Sequence, residues 1–183
     1  MSSLDLCIPP FPNLLWLPGT VVVTTEGING KLEPCFEQVV LGKTIQRPTK
    51  LDDRLTNLAL ELAKGDGERE DIPCVAGKTV GTDDFYEGQG RMDGAELSYT
   101  AEERAEWLQK AYEMGVRNIE MESTCFAAWC HRTGIPGMIC CAALLNRMNG
   151  DQVTTPAEQL MAWSNNAQEV ALRVMEHELN RNQ

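Results

Sequence analysis

The chain has 183 residues, 43% apolar and 23% charged, which is the size and balance of one domain with a substantial core. A net charge of −11 excludes binding a polyanion through bulk electrostatics, because neutralising phosphates takes clustered Lys and Arg, yet it leaves room for one small phosphate or nucleoside in a locally basic pocket. Seven cysteines with no CxxC pair, and His131 and His177 as the only histidines, exclude a zinc spacing and point to a reducing, cytoplasmic setting without metal.

No apolar run reaches the length that spans a bilayer, and no basic region precedes the first apolar stretch, so neither a membrane anchor nor a secretory signal is expected. Met1 to Leu17 sets Pro9, Pro10 and Pro12 among Phe11, Leu14, Leu15, Trp16 and Leu17. Proline at that density forbids a helix or a central strand. Val21 to Thr25 is a short β-branched run and reads as a buried strand, followed by a turn at Gly27, Asn29 and Gly30. Phe36 to Ile45 reads as extended, with a bend at Gly42.

Leu51, Leu55, Leu58, Leu60 and Leu62 have helical spacing, capped by Thr49 or Asp52 and ended by Gly65 and Gly67. Cys74 to Gly81 is the next strand. Thr100 and Glu103 form a capping box for a helix that stops at Gly115. Val116 to Met121 is a short strand, and Ser123 or Thr124 caps a helix to Gly134. Met138 to Leu145 is a continuous apolar run, the mark of a strand covered on both faces. Thr155 and Glu158, with Pro156 between, start a long helix with Leu160, Trp163, Ala167, Val170 and Val174 along one side and a weak point at Ser164 to Asn166. Strands alternating with helices give an α/β architecture. His131, Cys125, Cys130, Cys140 and Cys141 are assigned to packing, and the acidic clusters 66–71 and 102–106 to solvated faces.

Two stretches carry chemistry. In Asp84 to Gly94, Gln89 and Arg91 are two apart and leave one face of an extended backbone, while Gly88 and Gly90 let a flat ligand approach. An amide beside a guanidinium can read a pyrimidine edge, and Phe85 can carry the ring or its sugar. A plain glycine-rich surface loop is the competing reading. In Gly115 to Thr124, Glu120 and Glu122 share a face if the strand persists, with Met121 pointing the other way. A carboxylate at a strand end can hold a vicinal diol, or it can serve the dipole of the next helix.

Together these two stretches resemble those of the uridine phosphorylases in the nucleoside phosphorylase family, closely from about Pro18 to about Gln152. The resemblance implies a mixed central sheet, partly closed as a barrel and flanked by helices, lacking the first strands of the family fold. It divides the chain into residues 1–17, a non-family segment, and residues 18–183, the C-terminal part of the domain. It implies phosphorolysis of uridine to uracil and ribose 1-phosphate, with inorganic phosphate as co-substrate and no cofactor. Gln89 and Arg91 would hold uracil, Phe85 would line base and sugar, and Glu122, Met121 and Glu120 would hold the ribose. Leu144 and Leu145 would wall the base, with Arg147 near the pocket mouth or, alternatively, an ordinary surface arginine.

Arg91 and Glu122 are the expected catalytic residues: as uracil leaves, an Arg on its carbonyl gains strength with the growing negative charge. The family's phosphate-binding glycine loop and arginines precede the aligned region, which puts the activity of this chain alone in question. Three expectations follow. One is a phosphorylase, a homo-oligomer or an associate of full-length subunits, that takes its phosphate site from another chain. The second is a non-catalytic nucleoside-binding relative, and the third is a nucleosidase.

Overall fold

The computed structural model describes residues 18–181; the N-terminal segment singled out above, residues 1–17, lies outside them. The β-branched run forms Val21–Ile28 (β1), buried at both ends and along most of its length. It lies inside the sheet, so both of its faces need apolar or internally bonded side chains. A hairpin follows, Cys35–Val40 (β2) and Lys43–Pro48 (β3), turning at Leu41 (φ 48°) and Gly42 (φ 77°). Two successive left-handed residues match the twist of paired strands.

Helix α1, Asp53–Leu62, is capped by Asp52, whose carboxylate accepts the Leu55 N–H at 2.9 Å. Thr49, the other candidate cap, instead donates its buried hydroxyl to the Gly27 carbonyl. Strand β4, Cys74–Gly81, runs parallel to β1. Helix α2, Ala101–Glu113, starts with the reciprocal capping box: Thr100 Oγ1 accepts the Glu103 N–H at 3.2 Å and the Glu103 carboxylate accepts the Thr100 N–H at 2.8 Å. Strand β5, Val116–Glu120, runs parallel to β4, and helix α3 spans Ser123–Thr133.

Two expectations are corrected. Of the apolar run Met138 to Leu145, only Cys140–Ala142 (β6) forms a strand, half-buried and antiparallel to β1 at the sheet edge. Its side chains are only half-buried, so the strand is not covered on both faces. The last helix, α4 at Ala157–Arg181, continues unbroken through Ser164 to Asn166. There the Ser164 hydroxyl bonds back to the Leu160 carbonyl at 3.0 Å, an accommodation that helices tolerate.

The sheet order is β5-β4-β1-β6, mixed and flanked by helices as expected. One core cluster joins Val21 and Val23 to Leu55 and Ala59 of α1 and Val170 and Val174 of α4. A second joins Ile28, Val80 and Val116 to Ala111 of α2. A polar row crosses the strands: Thr24 and Thr79 hydroxyls lie 2.7 Å apart, and Thr79 donates to Asn118 Oδ1 at 2.6 Å. Asn118 of β5 and Cys141 of β6 line the same cavity, so the sheet curls until its two outer strands approach each other.

The N-terminus of α3 rests directly on the sheet. A Cβ at Gly27 would sit 3.1 Å from Thr124 Cα, and one at Gly81 would sit 2.9 Å from Thr124 Oγ1. Two bare backbone positions thus let the helix start press onto the ends of β1 and β4. Among the described residues, no helix is long and apolar enough to cross a membrane.

Candidate active site

Strands β4 and β5 are parallel, so the segments leaving Gly81 and Glu120 emerge at the same end of the sheet, where open α/β sheets place their ligands. The segment after β4 does not stay extended. Asp84 Oδ2 accepts the N–H groups of Tyr86 and Gly88, both at 2.9 Å, and the Tyr86 carbonyl accepts the Arg91 N–H at 2.9 Å. Gly90 takes φ 63°, a left-handed turn that glycine adopts without strain. The extended geometry expected for Gln89 and Arg91 is therefore replaced by consecutive turns. Gly88 is close to its own loop: an added Cβ would lie 2.9 Å from the Asp84 carbonyl.

Arg91 is nearly enclosed, with 11% of its side chain exposed. Its Nε donates to Asp93 Oδ1 at 2.7 Å and its Nη2 to Asp93 Oδ2 at 2.5 Å, a bidentate pair, and its guanidinium lies 4.5 Å from the Phe85 ring centroid. The bond to Asp93 raises the Arg91 pKa and the Arg91 bond lowers that of Asp93, so both stay charged. Nη1 is not used in this pair and has no hydrogen-bond partner among the described residues, so it can donate to a ligand atom.

Arg147 is not a surface arginine. Its side chain is 13% exposed; Nη2 donates to the Gln89 carbonyl at 2.8 Å, Nη1 to Gln89 Oε1 at 3.4 Å and Nε to Asp151 Oδ1 at 3.0 Å. Burial lowers its pKa, against the opposing attraction of Asp151. Burial also pushes the Asp151 carboxyl up, but the Met92 N–H, Arg147 and Arg104 outweigh it and the net shift is downward.

Asp151 and Arg104 went unread in the sequence. Arg104 stands among Glu102, Glu103 and Glu106 in a cluster assigned to solvent, but it lies four and seven residues before Leu108 and Ala111 on the inward face of α2. That periodicity was the available signal. For Asp151, after Gly150, there was none.

Glu120 and Glu122 do not share a strand face. The strand ends at Glu120, and Glu122 adopts helical angles (φ −119°, ψ −21°) at the N-cap of α3 without a side-chain cap bond. Neither Ser123 nor Thr124 caps the helix; both lie inside it, and the Ser123 hydroxyl is buried without a partner among the described residues. Glu120 does the capping: its carboxylate accepts the Glu122 N–H at 2.8 Å and the Ser123 N–H at 2.9 and 3.0 Å. Two of the four open N–H groups of the helix are thereby satisfied. Glu122 is left exposed, its carboxylate uncommitted by any described hydrogen bond.

All eight residues singled out beforehand — Phe85, Gln89, Arg91, Glu120, Met121, Glu122, Leu144 and Leu145 — line a single cavity of about 710 Å³. Arg147, Asn118 and Cys141 line it too. Gln89 is 6% exposed, whereas Phe85, Met121 and Leu144 present apolar surface to the opening. The described cysteines are free thiols, and burial pushes Cys140 up to about 12 and Cys74 and Cys141 up to about 11. Such thiols are not nucleophiles near neutral pH. His131, expected in the packing, is exposed.

This geometry agrees with what the chain is similar to. The phosphorylase superfamily model matches residues 13–179. Uridine and thymidine phosphorylase of Caenorhabditis elegans is 47% identical over 80% of this chain and 48% of its own length, and uridine phosphorylase 1 of Mus musculus is 42% identical over 90% and 52%. The crystal structure of uridine phosphorylase from Schistosoma mansoni in complex with 5-fluorouracil superposes with a TM-score of 0.81 at 36% identity, covering 92% of this chain and 57% of that one. The chain spans about half the length of the curated relatives it matches. It belongs to the phosphorylase superfamily, as a relative of the uridine phosphorylases.

Proposed function

We propose that this chain supplies the nucleoside-binding half of a uridine phosphorylase site, cleaving uridine with inorganic phosphate to uracil and ribose 1-phosphate. The observation that carries it is the convergence of Gln89, Arg91 and Glu122 on one cavity. The Schistosoma mansoni relative, solved with 5-fluorouracil and with uracil, makes a pyrimidine base the natural occupant. A phosphate oxygen bonds to C1′ as the C1′–N1 bond breaks, and the electron pair of that bond goes to the uracil ring, which later takes a proton. Arg91 binds a ring carbonyl as it becomes anionic, and its Asp93 pair and Phe85 contact hold it ready without reorganisation. Gln89 reads the base, Glu122 accepts from the ribose hydroxyls, and Met121, Leu144 and Leu145 exclude water. Glu120 acts through the backbone that carries Glu122.

The cavity arginines are each engaged: Arg91 with Asp93, Arg147 with Asp151, and Arg117 with the Tyr112 ring at 4.8 Å and the Tyr112 and Val116 carbonyls. Phosphate is therefore proposed to draw its ligands from another chain, a second copy or a full-length subunit, and no cofactor is needed. The free thiols agree with a cytoplasmic setting. The test is uracil release from uridine by the purified protein, alone and with a full-length relative, with and without phosphate. Release that requires phosphate is expected; release at equal rate without it would mean hydrolysis instead. Failure of uracil and uridine to bind would refute the reading, and binding without turnover would leave only the nucleoside-binding role.

A further inference from the structure

The loop that carries Gln89 and Arg91 is held from behind. Its successive carbonyls at Gln89, Gly90 and Arg91 accept from Arg147 Nη2 at 2.8 Å, Arg104 Nε at 2.8 Å and the Tyr99 hydroxyl at 2.6 Å. Asp151, 8% exposed, joins these supports. Its Oδ1 accepts from Arg104 Nη2 and Arg147 Nε, both at 3.0 Å, and its Oδ2 accepts the Met92 N–H at 2.8 Å. Arg104 Nη2 also bonds the Arg147 carbonyl at 2.6 Å. Two guanidinium groups thus share one carboxylate in a mostly enclosed space, and without it they would repel one another.

A guanidinium only donates, so the Gln89 atom facing Arg147 Nη1 is the acceptor Oε1. Nε2 then has no partner among the described residues and remains for the cavity that Gln89 lines. We propose that Asp151 is a positioning residue: through Arg147 it holds the Gln89 amide in one of its two orientations, and so sets selectivity for a base whose edge carries a carbonyl beside an N–H. This rests on the reading of the cavity as a uracil site. In the held orientation Nε2 donates to a ring carbonyl, and the second lone pair of Oε1 accepts from the neighbouring ring N–H. Cytosine has no hydrogen on N3, so its N3 lone pair would face Oε1. An amide released from Arg147 could turn its NH₂ toward that nitrogen and lose the distinction.

The experiment measures Kd for uracil and for cytosine by calorimetry with the full chain, as wild type and as Asp151→Asn, Asp151→Glu and Arg147→Lys. Wild type is expected to favour uracil. Asp151→Asn and Arg147→Lys are expected to reduce the uracil-to-cytosine ratio at least about tenfold, the scale set by an unmatched buried polar group. Asp151→Glu, which keeps the charge, should recover most of the ratio. Equal weakening of both bases, with the ratio unchanged, would make the cluster a mere brace and overturn the proposal, as would a wild type that binds uracil without preference. If Asp151→Asn fails to fold, the Arg147→Lys ratio decides alone. A wild type that binds neither base refutes the uracil-site reading itself, which the wild-type titration tells apart from failure of the variants.

Discussion

Glu120 and Glu122 are two residues apart with opposite tasks, and substituting each separates helix capping from ligand binding. Glu120→Ala removes the acceptor for the Glu122 and Ser123 N–H groups at the start of α3. An N-cap truncation destabilises by about 0.5–2 kcal/mol, and the lost charge at the helix dipole adds about 0.3–1 kcal/mol. Because the exposed Glu122 N–H and the partly buried Ser123 N–H both lose their partner, a total of about 1.5–2 kcal/mol is expected. For a chain of this size that is a fall in Tm of roughly 3–8 °C. Glu122→Gln leaves these bonds in place, since they use the Glu122 backbone only, so Tm should move by less than about 1 °C. It should weaken uridine binding about tenfold or more, the worth of hydrogen bonds to a charged group, and leave uracil binding unchanged, because uracil has no ribose. Thermal denaturation and calorimetry with uridine and uracil read all four quantities. If Glu120→Ala left Tm unchanged while weakening uridine binding, Glu120 would be the ribose ligand and the assignment of roles would be wrong.

Arg91→Ala, assayed with the complementing chain that restores phosphate-dependent turnover, should lower kcat more than it raises uridine KM, since its bond to uracil strengthens as the base leaves; equal changes would remove its leaving-group role. Leu41 sits at φ 48° with 98% of its surface exposed, so Leu41→Asn should stabilise the hairpin by about 1 kcal/mol in urea titration, because the left-handed strain disappears and no burial is lost. Ile28 is fully buried in the second core cluster, and Ile28→Ala should destabilise by about 2–5 kcal/mol through the cavity it leaves. The Asp151 carboxyl is held below its ordinary range when folded, so its contribution is complete above the unfolded value of about 3.9 and is lost as pH falls through the lower folded value. Urea midpoints from pH 6 to 3 should therefore drop more steeply for wild type than for Asp151→Asn.

Local pattern determined much of this molecule. The strand at Cys74–Gly81, the capping box at Thr100 and Glu103, the bend at Gly42 and the stops at Gly115 and Gly134 depend on side chains acting within a few residues of themselves, and all were readable from the chain. That Phe85, Gln89, Arg91, Met121 and Glu122 come together around one cavity follows two long motifs in the chain, while Leu144 and Leu145, which line the same cavity, were expected there only from the family resemblance. Only the tertiary structure decided what each polar group does there. Whether Glu120 faces a sugar or caps a helix depends on where β5 ends and α3 begins, at Glu120 and Ser123. Whether Arg147 faces solvent or Gln89 depends on Asp151 and Arg104, 47 residues apart in sequence and joined only when α2 packs beneath the loop. A carboxylate or guanidinium has the same chemistry wherever it stands; the partner that settles its charge and direction arrives through folding.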